Sequence, residues 1–220
     1  MKFLVVSQVF WPDTASVAQH LFDICEVLAE KGHEVEVFSG NTAYEDPTIR
    51  YPKKEIYKKI KITRLQNTSF GKSSMIGRIL DFMSFNLLVF IRLLPIKKKS
   101  FDTLLTLTSP PLLPFFCSLI SIFKKIPLYY WAMDLQPELS IHSGLIKKNS
   151  IKAKIFSFLG DFSLKRSTKI ISLDEQMKSY LEAKTPNKKK VVQVVPVWPV
   201  LRSHYLGKRV ENPFRLQNRF

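Results

Sequence analysis

The chain of 220 residues carries 34 Lys+Arg against 18 Asp+Glu, a formal net charge of +16, with 45% hydrophobic and 24% charged residues. This composition supports a buried core and excludes a disordered or fibrous polymer, and the length suits one large domain or two small ones. The 13 prolines and 7 glycines point to punctuated loops rather than glycine-rich phosphate cradles, and Cys25 and Cys117, far apart in apolar surroundings, fit a reducing compartment without a disulfide framework.

In chain order, Phe3–Ser7 is a continuous apolar run of the kind buried on both faces of a parallel sheet. It stops at Ser7-Gln8 without a small-residue cleavage site, so it reads as a strand and not as a signal peptide. A helix is predicted over Ser16–Lys31, with Leu21, Phe22, Cys25 and Leu28 on one face and Gly32 at the C′ position. Glu34–Ser39 is the second strand. Ile56–Leu65 alternates apolar and basic residues as an edge hairpin does, its lysines protecting the edge. Met75–Pro95 reads as a long helix whose only charges are Arg78, Asp81 and Arg92.

Residues Thr103–Phe123 lack formal charge and have the length of a membrane span, but Ser109-Pro110-Pro111 and Pro114 interrupt them. Proline inside a helix costs about 3 kcal/mol or more, so the run is read as a buried strand, Thr103–Thr108, a turn, and a buried helix, Leu112–Phe123. A strand Leu128–Met133, a helix Ile151–Lys165, a strand Lys169–Leu173, a helix Glu175–Ala183 and a strand Val191–Val195 follow. Strands alternating with helices predict an α/β fold, a Rossmann-like doubly wound parallel sheet.

In such sheets ligands lie beyond the carboxyl ends of the strands. That rule selects the loops Gln8–Ser16, Gly40–Tyr44, Ser109–Pro111, Asp134–Ser143, Asp174-Glu175 and Pro196–Pro199. The first opens onto a helix amino terminus, where Thr14 or Ser16 serves as cap or as ligand contact. No G-x-G-x-x-G is present, which argues against an ordinary nicotinamide enzyme. Asp134 and Glu138 sit just past a strand end, where a partly desolvated carboxyl can accept a proton or bind a hydroxyl, and His142 can complete a polar cluster. The alternative is a surface loop with a helix cap at Glu138. The histidines show no metal-ligand spacing, so no metal is assigned.

Six segments recur in order: Phe3–Gln19, the run Leu28-Ala29-Glu30-Lys31-Gly32-His33-Glu34-Val35, Thr108-Ser109-Pro110-Pro111, Asp134-Leu135-Gln136-Pro137-Glu138, Leu173–Met177, and Val195-Pro196-Val197-Trp198-Pro199. Together they resemble the amino-terminal domain of glycosyltransferase family 4, in its WbuB-like branch that builds bacterial O-antigen, capsule or colanic acid. The resemblance implies the amino-terminal half of a GT-B fold that retains anomeric configuration without a metal or other cofactor, with residues 1–205 as the acceptor domain. Asn212-Pro213-Phe214-Arg215 resembles the family's linker, which places residues 206–220 between this domain and a donor domain that is not in the chain. The chain by itself is therefore expected to bind no nucleotide sugar tightly and to show no turnover. By the same resemblance Asp134 is the catalytic polar residue near the acceptor hydroxyl, and Gln8, Asp13, Thr14, Ser16, Ser109, Glu138 and His142 belong to the acceptor mouth. The loop carries Thr14-Ala15-Ser16 where many members have glycines.

The charge is unevenly spread, with 2 basic and 8 acidic residues in 1–49 but 13 and 2 in 50–100. A basic middle beside apolar runs points to an anionic membrane face, and a lipid diphosphate acceptor lives there. Lys53, Lys54, Lys58 and Lys59, with Lys97, Lys98 and Lys99, are expected to attract the leaflet, and Phe82, Phe85 and Phe90 to enter it. The implied setting is cytoplasmic, peripheral on the inner face of the bacterial cytoplasmic membrane, with a separate donor-domain chain as a possible partner. The alternative is a non-catalytic membrane-surface subunit or scaffold with the same fold. No base-stacking platform is evident, so nucleic acid is not an expected partner.

Overall fold

The structure, a computed structural model, describes residues 1–70, 74–136, 138–144, 146–185 and 192–199. The expected linker at 206–220 lies outside the described residues. In chain order the elements are β1 (Lys2–Val6), α1 (Ser16–Glu30), β2 (Glu34–Gly40), β3 (Lys54–Tyr57), β4 (Ile60–Leu65), α2 (Met75–Leu93) and β5 (Thr103–Leu107). Then come α3 (Leu113–Lys124), β6 (Leu128–Trp131), α4 (Glu138–His142), α5 (Ile151–Arg166), β7 (Lys169–Ser172), α6 (Glu175–Lys184) and β8 (Val192–Val194). The short α4 has no counterpart in the elements read from sequence.

The strands form one sheet in the order β3-β4-β2-β1-β5-β6-β7-β8. Only β3 runs antiparallel, closing the edge as a hairpin with β4; the other neighbours pair in parallel. From β1 the chain winds outward through β2 to the hairpin, returns to β5 on the other side of β1, and winds outward again to β8. The topological switch point therefore lies between β1 and β5.

Side-chain alternation assigns the two faces. Leu4, Val6, Leu104 and Leu128 pack under α2 and α3 through Phe85, Val89, Cys117 and Ile120. The same face continues through Tyr130, Ile170 and Val192, which meet Leu164 of α5 and Leu181 of α6. The opposite face presents Val5, Val37, Ile62, Leu107 and Trp131 to Leu21, Phe22 and Cys25 of α1. All five residues of β5 are buried, as its charge-free sequence predicts for a central strand.

Helix boundaries follow local chemistry. Gly32, at φ +83°, ends α1, and the N–H groups of Lys31, Gly32 and His33 return to the carbonyls of Val27, Ala29 and Leu28. Ser74, Ser150 and Asp174 cap α2, α5 and α6 by accepting from Gly77, Ala153 and Met177 N–H respectively. Pro114 falls in the first turn of α3, where a missing N–H costs nothing. The uncharged run 103–123 is thus a strand, a turn and a helix, and no described helix is long and apolar enough to cross a membrane.

Candidate functional site

Beyond the carboxyl ends of β1, β2 and β4 lies a recess of about 80 Å³, lined by Gln8, Gly40, Thr42, Tyr44, Asn67 and the α2 residues Arg78 and Phe82, among others. Gly40 makes this geometry possible. Its N–H donates to the Gln8 carbonyl at 2.8 Å, and a Cβ there would stand 2.8 Å from that oxygen and 3.1 Å from Asn67 Oδ1. The β1 and β2 ends therefore approach more closely than any side chain permits. Asn67 is buried, and its Nδ2 donates to the Thr68 carbonyl at 2.7 Å, while its Oδ1 meets no protein donor. The segment that carries it, residues 66–70, is tied to α2 by Asp81, whose two carboxylate oxygens accept from Phe70 N–H at 3.0 and 2.9 Å.

Sequence reading selected Gln8 and the Gly40–Tyr44 loop for this end of the sheet but missed Asn67, Thr68, Ser69 and Arg78. The available signal was a polar asparagine two residues after a buried strand; the hairpin concealed that β4 also ends at the ligand edge.

Asp134 lies three strands away from β2, past the end of β6, and does not line the recess. Thr108 positions it from the end of β5: its hydroxyl oxygen accepts from Met133 N–H at 2.9 Å and Asp134 N–H at 3.3 Å. The same hydroxyl is hydrogen-bonded to the Tyr130 phenol, whose pKa burial raises to about 12. Asp134 is exposed at the strand end, yet desolvation by the neighbouring protein lifts its carboxyl above the usual aspartate value, the environment expected of an acid leaving a buried strand. Ser109 follows Thr108 and is half-buried at the same edge.

Glu138 is committed elsewhere. Its Oε1 accepts from the Tyr180 hydroxyl and from Lys184 Nζ at 2.9 Å, and Lys184 also lies 3.2 Å from Asp161. Burial works to raise the Glu138 pKa, but the hydrogen bonds from Tyr180 and Lys184 outweigh it and hold the carboxyl below its ordinary range. It ties α4 to α6 as an ionised strut. His142 is exposed, with Nδ1 2.8 Å from the Glu138 carbonyl.

In the first loop, Asp13 is buried and fully engaged with backbone: Oδ1 accepts from Ala15 N–H at 2.9 Å and Oδ2 from Tyr44 N–H at 2.7 Å. It fixes the β1–α1 loop to the loop after β2 and so shapes the recess indirectly. Neither Thr14 nor Ser16 caps α1; the N-cap is Ala15, without a side-chain bond. Both are exposed, and the Ser16 hydroxyl lies 3.3 Å from His20 Nδ1. His20 Nε2 is 2.9 Å from the Trp198 carbonyl, and the Trp198 indole donates to Asp23 at 2.8 Å. The Pro196–Pro199 segment is thereby docked along α1. Asp174 caps α6 instead of facing a ligand. Among the described residues no group of acids, histidines and cysteines is arranged to hold a metal ion.

The residues expected at a membrane divide. Phe85 is fully buried on the inner face of α2 and is corrected to a core residue. A helical turn decides this, because Phe85, Val89 and Leu93 fall on one face at i, i+4 and i+8. Phe90 is half-buried, edge-on to Phe116, and Phe82 is a half-buried wall of the recess. Lys97, Lys98 and Lys99 are exposed beyond α2, and Lys53, Lys54 and Lys59 are exposed at the hairpin. Lys58 donates to Glu26 of α1, on the opposite face of the sheet from α2, so its charge is directed away from that helix.

No protein-family model and no curated protein sequence matches the chain. Solved structures do match in fold. Sucrose-phosphate synthase from Thermosynechococcus elongatus superposes with a TM-score of 0.60 at 11% identity, over 89% of this chain and 48% of that one. The catalytic domain of starch synthase IV from Arabidopsis thaliana, bound to ADP and acarbose, gives 0.57 at 8%, over 89% and 51%. UGT2 from Phytolacca americana, complexed with UDP-2fluoro-glucose and pterostilbene, gives 0.50 at 10%, over 92% and 54%. The chain spans about half the length of these neighbours, and its fold is that of a Rossmann-like domain of the GT-B architecture.

Proposed function

We propose that this domain is the acceptor-holding half of a retaining glycosyltransferase of family 4, which moves a sugar from a nucleotide sugar to a lipid-linked glycan during bacterial surface polysaccharide synthesis. The observation that carries the reading is the recess at the carboxyl ends of β1, β2 and β4, of mixed polar and apolar lining, walled by Arg78 and Phe82 of a helix whose outer face is apolar. Amide, hydroxyl and guanidinium groups suit a polyhydroxylated ligand. At about 80 Å³ the recess holds only part of such a ligand, as one wall of a cleft completed by a donor domain would.

In this reading Asp134, at the end of β6 with a pKa raised by desolvation, accepts a hydrogen bond from the acceptor hydroxyl at the cleft edge. The gain of such a site comes from positioning the acceptor and from stabilising the departing diphosphate. In this reading the diphosphate-binding groups belong to the donor domain across the cleft. The exposed lysines after α2 and the apolar face of that helix support a peripheral position on the inner face of the cytoplasmic membrane.

The test is transfer from a panel of nucleotide sugars to extracted membrane lipids by the purified chain, with and without the product of the adjacent reading frame. Transfer only in the combination, lost in Asp134→Asn, is the expected result. Transfer by the chain alone overturns the division of labour; no transfer in any combination overturns the enzyme reading and leaves a membrane-surface scaffold.

A further inference from the structure

The helical layer over β1, β2, β5 and β6 carries more apolar surface than its core contacts use. On α2, Phe85, Val89 and Leu93 face inward at 0% exposure, yet Ile79, Met83, Leu87 and Ile91 on the outside are 44–54% exposed. On α5, Ala153 and Leu164 face inward, while Ile151, Ile155 and Phe158 on the outside are 77, 51 and 69% exposed. These three, with half-buried Phe162, recur at i, i+4, i+7 and i+11, a single helical stripe.

Helix α3 lies between α2 and α5 and joins the two stripes. The rings run Phe90 to Phe116 at 5.9 Å, Phe116 to Phe115 at 5.6 Å, and Phe115 to Phe162 at 5.6 Å. All four are half-buried, so their outer edges form a continuous aromatic row across three helices. A contiguous apolar surface of this extent, rimmed by polar residues, marks an interaction site.

The rim is basic. Lys97, Lys98 and Lys99 follow α2, Lys125 follows α3, and Lys148 and Lys152 flank the start of α5, all of them exposed. The described acids of these three helices are not available to a partner: Asp81 is buried against Phe70 N–H, and Asp161 is paired with Lys184. A second copy of the chain would set the same lysines against each other. An anionic surface that accepts apolar side chains over a broad, flat area does not.

We propose that the outer faces of α2, α3 and α5 form one surface that docks on an anionic bilayer, with Ile155 and Phe158 of α5 inserting alongside Leu87 and Ile91 of α2. This rests on the membrane reading above and extends it from one helix to a three-helix plane. Two separated stripes hold the layer flat on the lipid, whereas α2 alone acts as a hinge. The sheet then lies along the bilayer, and the recess walled by Arg78 and Phe82 opens at head-group height.

The test is flotation of the full chain with vesicles of phosphatidylcholine alone or mixed with phosphatidylglycerol. The variants are the α2 pair Leu87→Ser/Ile91→Ser and the α5 pair Ile155→Ser/Phe158→Ser, all at exposed positions whose thermal melts should match the wild type. The wild type should float only with the anionic vesicles, and each pair should weaken binding about tenfold or more. Loss in the α2 pair with wild-type binding in the α5 pair overturns the three-helix surface while the α2 reading survives. Failure of the wild type on both vesicles overturns both readings, and so does an anionic protein partner or self-association lost in the α5 pair without any vesicle binding.

Discussion

Thr108→Val removes the contact on which the position of Asp134 depends, together with the hydroxyl's hydrogen bond to the Tyr130 phenol. Valine keeps the shape of threonine and removes only the hydroxyl, so Met133 N–H, bonded at 2.9 Å, and Asp134 N–H, at 3.3 Å, both lose their acceptor. Thr108 is buried at 4% exposure, and of the two residues it holds Met133 is half-buried and Asp134 exposed. Each stranded N–H would cost about 1–3 kcal/mol if fully buried; partial exposure and the longer second bond reduce the pair to about 2 kcal/mol. For a domain of this size that corresponds to a fall in Tm of about 4–8 °C. Thermal and urea melts followed by circular dichroism measure the loss, and hydrogen exchange at Met133 and Asp134 locates it. Thr108→Ser keeps the hydroxyl and should recover most of the stability and the amide protection. The reasoning is refuted if Thr108→Val melts within 1 °C of the wild type, or if Thr108→Ser is equally damaging.

Two further predictions test the charge and core assignments. Asp134 has a raised folded pKa, so its ionisation opposes folding, and stability falls as pH rises from the unfolded aspartate value near about 4. Asp134→Asn should therefore raise Tm at pH 7, with the gain vanishing in melts below about pH 4; Glu138, whose folded pKa is lowered, should behave oppositely, with Glu138→Gln losing stability at neutral pH and converging on the wild type as pH falls through the folded value. Phe85→Ala should cost about 3–5 kcal/mol in urea unfolding as a fully buried ring, whereas Phe158→Ala, at 69% exposure, should stay within about 0.5 kcal/mol.

Much of the fold was legible because its signals are local. The β-strands are short apolar runs, Gly32 stops α1 through its own positive φ, and Pro114 can only begin a helix, so the uncharged run 103–123 divides as read. Asp134 was legible as an acid following a buried strand. The site was less so, since a loop becomes part of it only through the strand beside it. Asn67 and Arg78 matter because β4 pairs parallel to β2 and ends at the same edge, a fact that a hairpin pattern does not contain.

Periodicity shows that α2 has apolar residues all round, but it does not say which face meets the sheet; packing places Phe85 inside and Leu87 outside. Nor does local sequence join Phe90 to Phe162, which are 72 positions apart and connected through two rings of α3. The sequence by itself determined the order and kind of the elements apart from the short α4, because backbone hydrogen bonding and side-chain periodicity act over a few residues. Only the tertiary structure decided which loops converge on the recess, which carboxylate is spent on a lysine and a tyrosine, and which apolar faces stay uncovered, because those depend on strand order and on pairings between distant segments.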